Sequence, residues 1–169
     1  FNLQSTALIE TLRTKLEKWQ IPPEKIMLEI TESAMMADPI HAKATLQQLS
    51  RLGLKLAIDD FGTGFSSLAY LKQLPVDELK IDKSFVMGMA DDENDAVIVR
   101  STIDMAHNLG LKVVAEGVEN RDIRELLEML NCDLLQGFHI SKPLPAAEIA
   151  HQLPSLDSTG KIHHLKDFR

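Results

Sequence analysis

Cysteine is nearly absent: Cys132 is the one thiol in 169 residues. A single cysteine excludes an intramolecular disulfide and any multi-cysteine zinc site, and fits a reducing compartment. Basic charge is short as well, with 18 Lys and Arg against 25 Asp and Glu and a formal net charge of -7. Binding to a DNA or RNA polymer through a basic surface is therefore not expected, because counterion release needs clustered cations. No apolar run is long enough to span a membrane. Nothing near Phe1-Asn2-Leu3 has the layout of a signal peptide, so cytoplasm is the expected location and the abrupt opening reads as a cut. The histidines, His41, His107, His139, His151, His163 and His164, do not cluster with Cys132. Ser66 and Ser67 have no histidine spaced to suggest a triad, so neither zinc nor serine chemistry is indicated.

What the chain does have is an ordinary globular composition, 44% hydrophobic and 25% charged, and enough length for one domain with a substantial core. Helix-period stretches are expected at about Thr6 to Trp19, Ile40 to Leu52, Asp95 to Leu109, Asn120 to Leu130 and Ala146 to Leu153. Between them lie aliphatic or β-branched runs at Ile26 to Thr31, Leu54 to Asp59, Glu78 to Asp82, Leu111 to Glu116 and, more weakly, Leu134 to Phe138. Ser66 to Leu74 reads as a short helix or turn ending at Pro75. Alternation of this kind predicts βα units around a parallel sheet, and nearly continuous apolar strands predict helices on its outer face. The leading fold class is α/β, a TIM-type barrel.

Polar residues stand at or near six strand ends: Asn2, Glu29, Asp59-Asp60, Lys80 to Asp82, Glu116 and Gln136. A (β/α)₈ barrel has eight strands in about 250 residues, so the expectation is a barrel cut at its amino end to about six βα units. Residues 1–153 would form that barrel portion and 154–169 a polar tail in which His163-His164 is solvated.

In such barrels the carboxyl ends of different strands converge on one mouth. The most telling feature is Asp59-Asp60, ending the apolar run Leu54 to Ile58 and followed by Phe61-Gly62-Thr63-Gly64. Two adjacent carboxylates at a buried strand tip repel and lose hydration, so they need a strong cation, and metal is the obvious candidate. Because successive strand residues face opposite ways, the chain must bend for both to reach one site, and Gly62 and Gly64 are the expected source of that bend. Glu29 interrupts Met27-Leu28 and Ile30, which predicts a buried inward carboxylate in need of a partner. In Leu79-Lys80-Ile81-Asp82 the alternation puts Lys80 into the polar mouth, to hold a water, steady a phosphate oxygen or balance charge. Glu116-Gly117-Val118-Glu119 and Gln136-Gly137 add further polar groups. Oxygen donors in this number suit two hard cations. The turn at Gly62 to Gly64 reads mainly as a mobile flap.

Taken together, Leu28-Glu29-Ile30-Thr31-Glu32, Ile58-Asp59-Asp60-Phe61-Gly62-Thr63-Gly64, Leu79-Lys80-Ile81-Asp82, Ala115-Glu116-Gly117-Val118-Glu119 and Gln136-Gly137 resemble the EAL family of cyclic di-GMP phosphodiesterases. Five ordered motifs over most of residues 1–153 make the resemblance specific. It implies a modified TIM barrel that hydrolyses cyclic di-GMP to linear pGpG with two Mg²⁺ or Mn²⁺ ions. By motif, Asn2, Glu29, Asp59 and Asp60 look like metal ligands, with Asp59 as the bridge. Lys80 and Glu116 look like the groups that position and activate water. Gln136 and Glu119 fall on the substrate side, and Glu32 looks like the anchor of the loop from Phe61 to Ser67. The Glu-Ala-Leu tripeptide that names the family is not in this chain, and the loop carries Phe65 where Tyr is common and Gln4 stands where Ser is usual. Relatives of this kind are often fused to sensor or GGDEF-type domains, which can tether them to a membrane, and a homodimer stays open. Two other readings stay open as well: a cyclic di-GMP receptor or regulatory module without turnover, and an enolase-type barrel acting on a carboxylic acid.

Overall fold

A computed structural model describes residues 6–64, 67–145 and 147–148. Chain order is α1 (Thr6–Trp19), a 3₁₀ turn (Pro23–Lys25), β1 (Met27–Thr31), α2 (Glu32–Ala37), α3 (Pro39–Arg51), β2 (Lys55–Phe61) and α4 (Leu68–Leu71). It continues with β3 (Glu78–Ile81), α5 (Lys83–Gly88), α6 (Glu93–Asn108), β4 (Lys112–Glu116), α7 (Arg121–Met129) and β5 (Leu134–Gln136). All five strands run parallel in the order β1-β2-β3-β4-β5. This is the expected α/β alternation, seen here as an open segment of a barrel wall. Among the described residues no helix is long and apolar enough to cross a membrane.

The register divides the sheet into two faces. Leu28, Ile30, Leu56, Ile58, Leu79, Ile81, Val113, Ala115 and Leu135 fall on the helix-covered face, and most are fully buried. They meet Met35, Leu46, Leu49, Val86, Val99, Ile103, Ile123 and Leu127 from the surrounding helices in one continuous core. Each fully buried side chain of this size contributes about 1.5–3 kcal/mol, so the outer face holds the sheet together. Glu29, Thr31, Asp59, Lys80, Glu116 and Gln136 fall on the other face, which leaves the inner side free for polar groups.

Two helices were not anticipated from periodicity, and both are short. Thr31 caps α2 by accepting the Ala34 N–H at 3.3 Å, and Asp82 caps α5 by accepting the Ser84 N–H at 2.9 Å. Six residues give too few repeats for an apolar stripe to stand out, so the cap is the surviving signal. Glu78–Ile81 and Leu134–Gln136 are shorter than their expected strands. Of the helix expected at Ala146 to Leu153, only residues 147 and 148 are described, and the tail and Asn2 lie outside the described residues.

The amino ends of the strands are braced by a repeated device. Asp77, just before β3, accepts the Leu56 N–H at 3.0 Å and pairs with Lys55. Asp133, just before β5, accepts the Val113 N–H at 2.9 Å and holds His107 Nε2 at 2.8 Å. Each carboxylate therefore ties the loop entering one strand to the start of its neighbour. For Asp133, burial opposes the charged form, but the His107 ring and the Val113 N–H outweigh it and hold its pKa below the ordinary aspartate value. A depressed folded pKa means stability that is present above the unfolded value of about 3.9 and lost as pH falls through the folded one. The stability gap between the parent and Asp133→Asn should therefore be full near pH 6 and shrink below about pH 4, measured by urea midpoints. A gap that stays constant down to pH 3 would count against the brace.

Candidate functional site

At the carboxyl end of the sheet, Lys80 is the centre of a charged cluster on the inner face. Its ammonium lies 2.8 Å from Glu29 Oε2, 3.0 Å from Asp59 Oδ1 and 2.7 Å from Glu116 Oε1, so β1, β2 and β4 each send a carboxylate to one cation on β3. Lys80 is only 5% exposed. Burial pulls its proton affinity down, but the carboxylates of Glu116, Glu29 and Asp59 outweigh burial and hold its pKa well above the ordinary lysine value. Lys80 thus stands among the three carboxylates as a positive charge and hydrogen-bond donor.

Asp60 joins the cluster through a break in strand alternation. Ile58 pairs with Leu79 and Phe61 with Ile81, so Asp59 and Asp60 together oppose Lys80 in a β-bulge. Asp60 sits at φ +54, in the left-handed region that Asp tolerates better than most residues. The bend expected at Gly62 and Gly64 is therefore made by Asp60 itself. Gly62 is also left-handed at φ +101, but one step beyond the end of the strand, and Gly64 is not.

One oxygen from each of Asp59, Asp60 and Glu116 lies within 4.8 Å of the others. Repulsion between unit charges at that distance is on the order of 3 kcal/mol per pair at an effective dielectric near 20. Lys80 supplies one positive charge against the four carboxylates of Glu29, Asp59, Asp60 and Glu116. Asp59 Oδ1 is sealed from solvent and has no hydrogen-bond donor; its approach to Lys80 Nζ at 3.0 Å is ionic but lies off the hydrogen-bonding directions. A buried, under-coordinated oxygen within a group of carboxylates fits a hard divalent cation. The acidic group thus has the donor chemistry and spacing to hold metal.

Glu29 corrects an expectation. Its side chain is 48% exposed rather than buried, because β1 is an edge strand of the described sheet. The buried acid of that motif is Glu32, at 1% exposure. Thr31 ends the strand and caps α2, which turns Glu32 back toward the loop after β2. There Glu32 Oε2 accepts the Gly62 N–H at 3.1 Å and the Gly64 N–H at 3.2 Å. A Cβ at Gly64 would lie 3.0 Å from the Glu32 carboxyl carbon, so the close approach favours glycine. Thr63 Oγ1 donates to the Asp60 carbonyl at 2.8 Å. Residues 60–64 are therefore fastened in place, and a flap reading does not describe them.

The remaining candidates are less engaged. Gln136 ends β5 in register with Glu116 but is exposed, and its backbone carbonyl accepts the Val118 N–H at 3.1 Å. Glu119 is exposed; the cap of α7 is Asn120, which accepts the Ile123 N–H at 2.9 Å. Asp82 is engaged in capping α5. Burial pushes the Cys132 thiol up to about 11, which removes it as a nucleophile at neutral pH.

The EAL domain family model matches residues 1–143. The bifunctional diguanylate cyclase/cyclic di-GMP phosphodiesterase MucR of Pseudomonas aeruginosa is 44% identical over 142 residues, covering 84% of this chain and 21% of its own length. The cyclic di-GMP phosphodiesterase NbdA of the same organism is 43% identical over 148 residues, covering 88% and 19%. The chain therefore spans about a fifth of the length of the curated relatives it matches. Among solved structures, the PaMucR phosphodiesterase in complex with c-di-GMP superposes with a TM-score of 0.85 at 42% identity, covering 88% of this chain and 60% of that one. The EAL domain of Mycobacterium smegmatis DcpA superposes at 0.82 with 38% identity, covering 94% and 70%. With a family model spanning most of its length and close superposition on EAL folds, this chain belongs to the EAL domain family.

Proposed function

We propose that this chain carries the acidic, cation-binding side of a cyclic di-GMP phosphodiesterase centre that releases linear pGpG. The observation that carries the reading is the four-strand cluster in which one buried lysine is outnumbered by carboxylates beside the Asp59-Asp60 bulge. Similarity to MucR and NbdA, both described as cyclic di-GMP phosphodiesterases, supports the substrate.

In this reading Asp59 and Asp60 would hold the divalent cations, Mg²⁺ or Mn²⁺, with Glu29 and Asn2 as further ligands and Glu116 beside them. Such ions, once held there, would supply a water of lowered pKa and charge stabilisation for displacement at phosphorus. The protein's own contribution is electrostatic and positional. Lys80 spaces Glu29, Asp59 and Glu116 around one ammonium and presents positive charge where a phosphate oxygen gathers negative charge. Glu116, paired with Lys80 at 2.7 Å, is the carboxylate in this reading that orients the water or accepts its proton, and the Lys80 ammonium helps to position that water. Glu32 fixes the turn after the bulge, and through it the direction of Asp60. Gln136 and Glu119, both exposed, are assigned to the substrate side in this reading.

The deciding experiment is hydrolysis of cyclic di-GMP with Mg²⁺ or Mn²⁺, run on this chain beside a version extended at its amino end. Turnover that stops with chelator and returns with added cation is the expected result. Nucleotide binding with no turnover in either version would move the assignment to a receptor.

Lys80→Ala should lower kcat by at least about 10²-fold while divalent-cation binding survives, because it removes charge stabilisation but no carboxylate. Parent-like turnover in that variant would take Lys80 out of the mechanism. Glu32→Ala leaves two loop N–H groups without their acceptor, at a cost of about 1–3 kcal/mol. Glu32→Gln keeps an acceptor oxygen, so it should recover most of the turnover lost in Glu32→Ala. Equal loss in both variants would assign Glu32 to charge balance instead of loop anchoring.

A further inference from the structure

Two left-handed glycines follow the clustered acids: Gly62 at φ +101 after Asp59-Asp60-Phe61, and Gly117 at φ +74 directly after Glu116. Both turns rest on the same short helix, α5. A Cβ at Gly62 would lie 2.9 Å from Phe85 Cε2, and one at Gly117 would lie 2.6 Å from Lys83 Cβ and 3.4 Å from Met87 Cγ. Neither turn has room for a side chain because the helix already touches the backbone.

Each turn is also held from its other side. Gly62 is pressed between the Phe85 ring and the Glu32 carboxylate that accepts its N–H. After Gly117, Val118 donates to the Gln136 carbonyl at 3.1 Å and accepts the His139 N–H at 3.0 Å. The helix is tied to the same strand ends, since the Asp82 N–H points to the Phe61 carbonyl at 3.4 Å and Asp82 caps the helix. Phe85 has no charge to offer the clustered acids, and its ring is half-buried against the core.

We propose that Phe85 is a positioning residue: its ring is the floor beneath the Gly62 turn, and α5 thereby sets the separation between Asp59-Asp60 and Glu116. The two acid-bearing turns follow strands β2 and β4; β3 pairs with both strands and its Lys80 bridges Asp59 and Glu116, while α5 bears on both turns beyond the strand ends. The ring supports the turn through contact, so its volume and rigidity matter rather than any charge. The consequence for cations rests on the phosphodiesterase reading above, whereas the consequence for the turn does not.

The test compares Phe85→Ala and Phe85→Leu with Leu49→Ala, a core truncation at the far end of α3, all in the full chain. Amide exchange at Gly62 and Gly64, resolved by residue, should accelerate at least about tenfold in Phe85→Ala, partly recover in Phe85→Leu, and stay near parent in Leu49→Ala. Mn²⁺ affinity, titrated without nucleotide, should weaken about tenfold in Phe85→Ala and recover in step with exchange in Phe85→Leu. Exchange at the two glycines within about twofold of parent in Phe85→Ala, or the same acceleration in Leu49→Ala, would overturn the proposal. Loosened glycines with unaltered Mn²⁺ affinity would overturn its second half, that α5 sets the acid spacing. If the parent itself binds no Mn²⁺, the metal reading fails, and the exchange data still decide whether Phe85 supports the turn.

Discussion

The inner face of the sheet depends on one buried ammonium. Without Lys80, Glu29, Asp59 and Glu116 would bring like charges together at the end of adjoining strands with no other cation paired to them among the described residues. With it, the strands can approach, but the balance stops short of neutrality: one cation stands among four carboxylates. The fold thus solves the charge problem far enough to assemble and leaves a residue of negative potential at the mouth. That residue is what a divalent ion would neutralise, and Asp59 Oδ1, buried without a hydrogen-bond donor, is where the need is sharpest.

This arrangement is possible because stability and chemistry occupy opposite faces of the same strands. The helix-covered face carries the apolar burial, from Leu28 and Ile30 across to Ala115 and Leu135. Inner-face residues are released from packing duty, and the strand period of two delivers them to one side without any further instruction. At the amino ends the acids take a different part. Asp77 and Asp133 there accept backbone N–H groups and pair with neighbouring bases, so their charges are satisfied locally. The same residue type is structural at one end of the sheet and under-compensated at the other.

Much of this was legible in the sequence, for reasons tied to particular residues. The alternation in Leu79-Lys80-Ile81-Asp82 was enough to send Lys80 inward, and the acids at Asp59-Asp60 and Glu116 marked strand ends by interrupting aliphatic runs. Glu29 was misjudged as buried because its apolar neighbours describe the opposite face of the strand, while its own exposure depends on which strand lies beside it. The short helices α2 and α5 were missed, since six residues hold too little periodicity and their caps, Thr31 and Asp82, look like strand residues in sequence. The contact of Phe85 with Gly62 had no sequence signal at all: the residues are 23 positions apart and meet only after β3 has paired with β2.

The bulge at Asp60 shows how magnitudes choose between two registers that the sequence alone leaves equal. Had the pairing of Ile58 with Leu79 continued without interruption, Asp60 would lie opposite Ile81 on the apolar face, and Phe61 would point into the polar mouth. Burying a lone carboxylate among Ile58, Leu79 and Ile81 costs several kcal/mol, and exposing Phe61 forfeits about 2 kcal/mol of burial. Placing one residue in the left-handed region costs roughly 1–2 kcal/mol, and less for Asp than for most residues. The inserted step therefore wins twice, since it returns Phe61 to register with Ile81 and brings Asp60 beside Asp59. A pair of carboxylates that repel each other is held at one mouth because the uninterrupted register is worse for the core, and the site is in this sense a consequence of apolar packing.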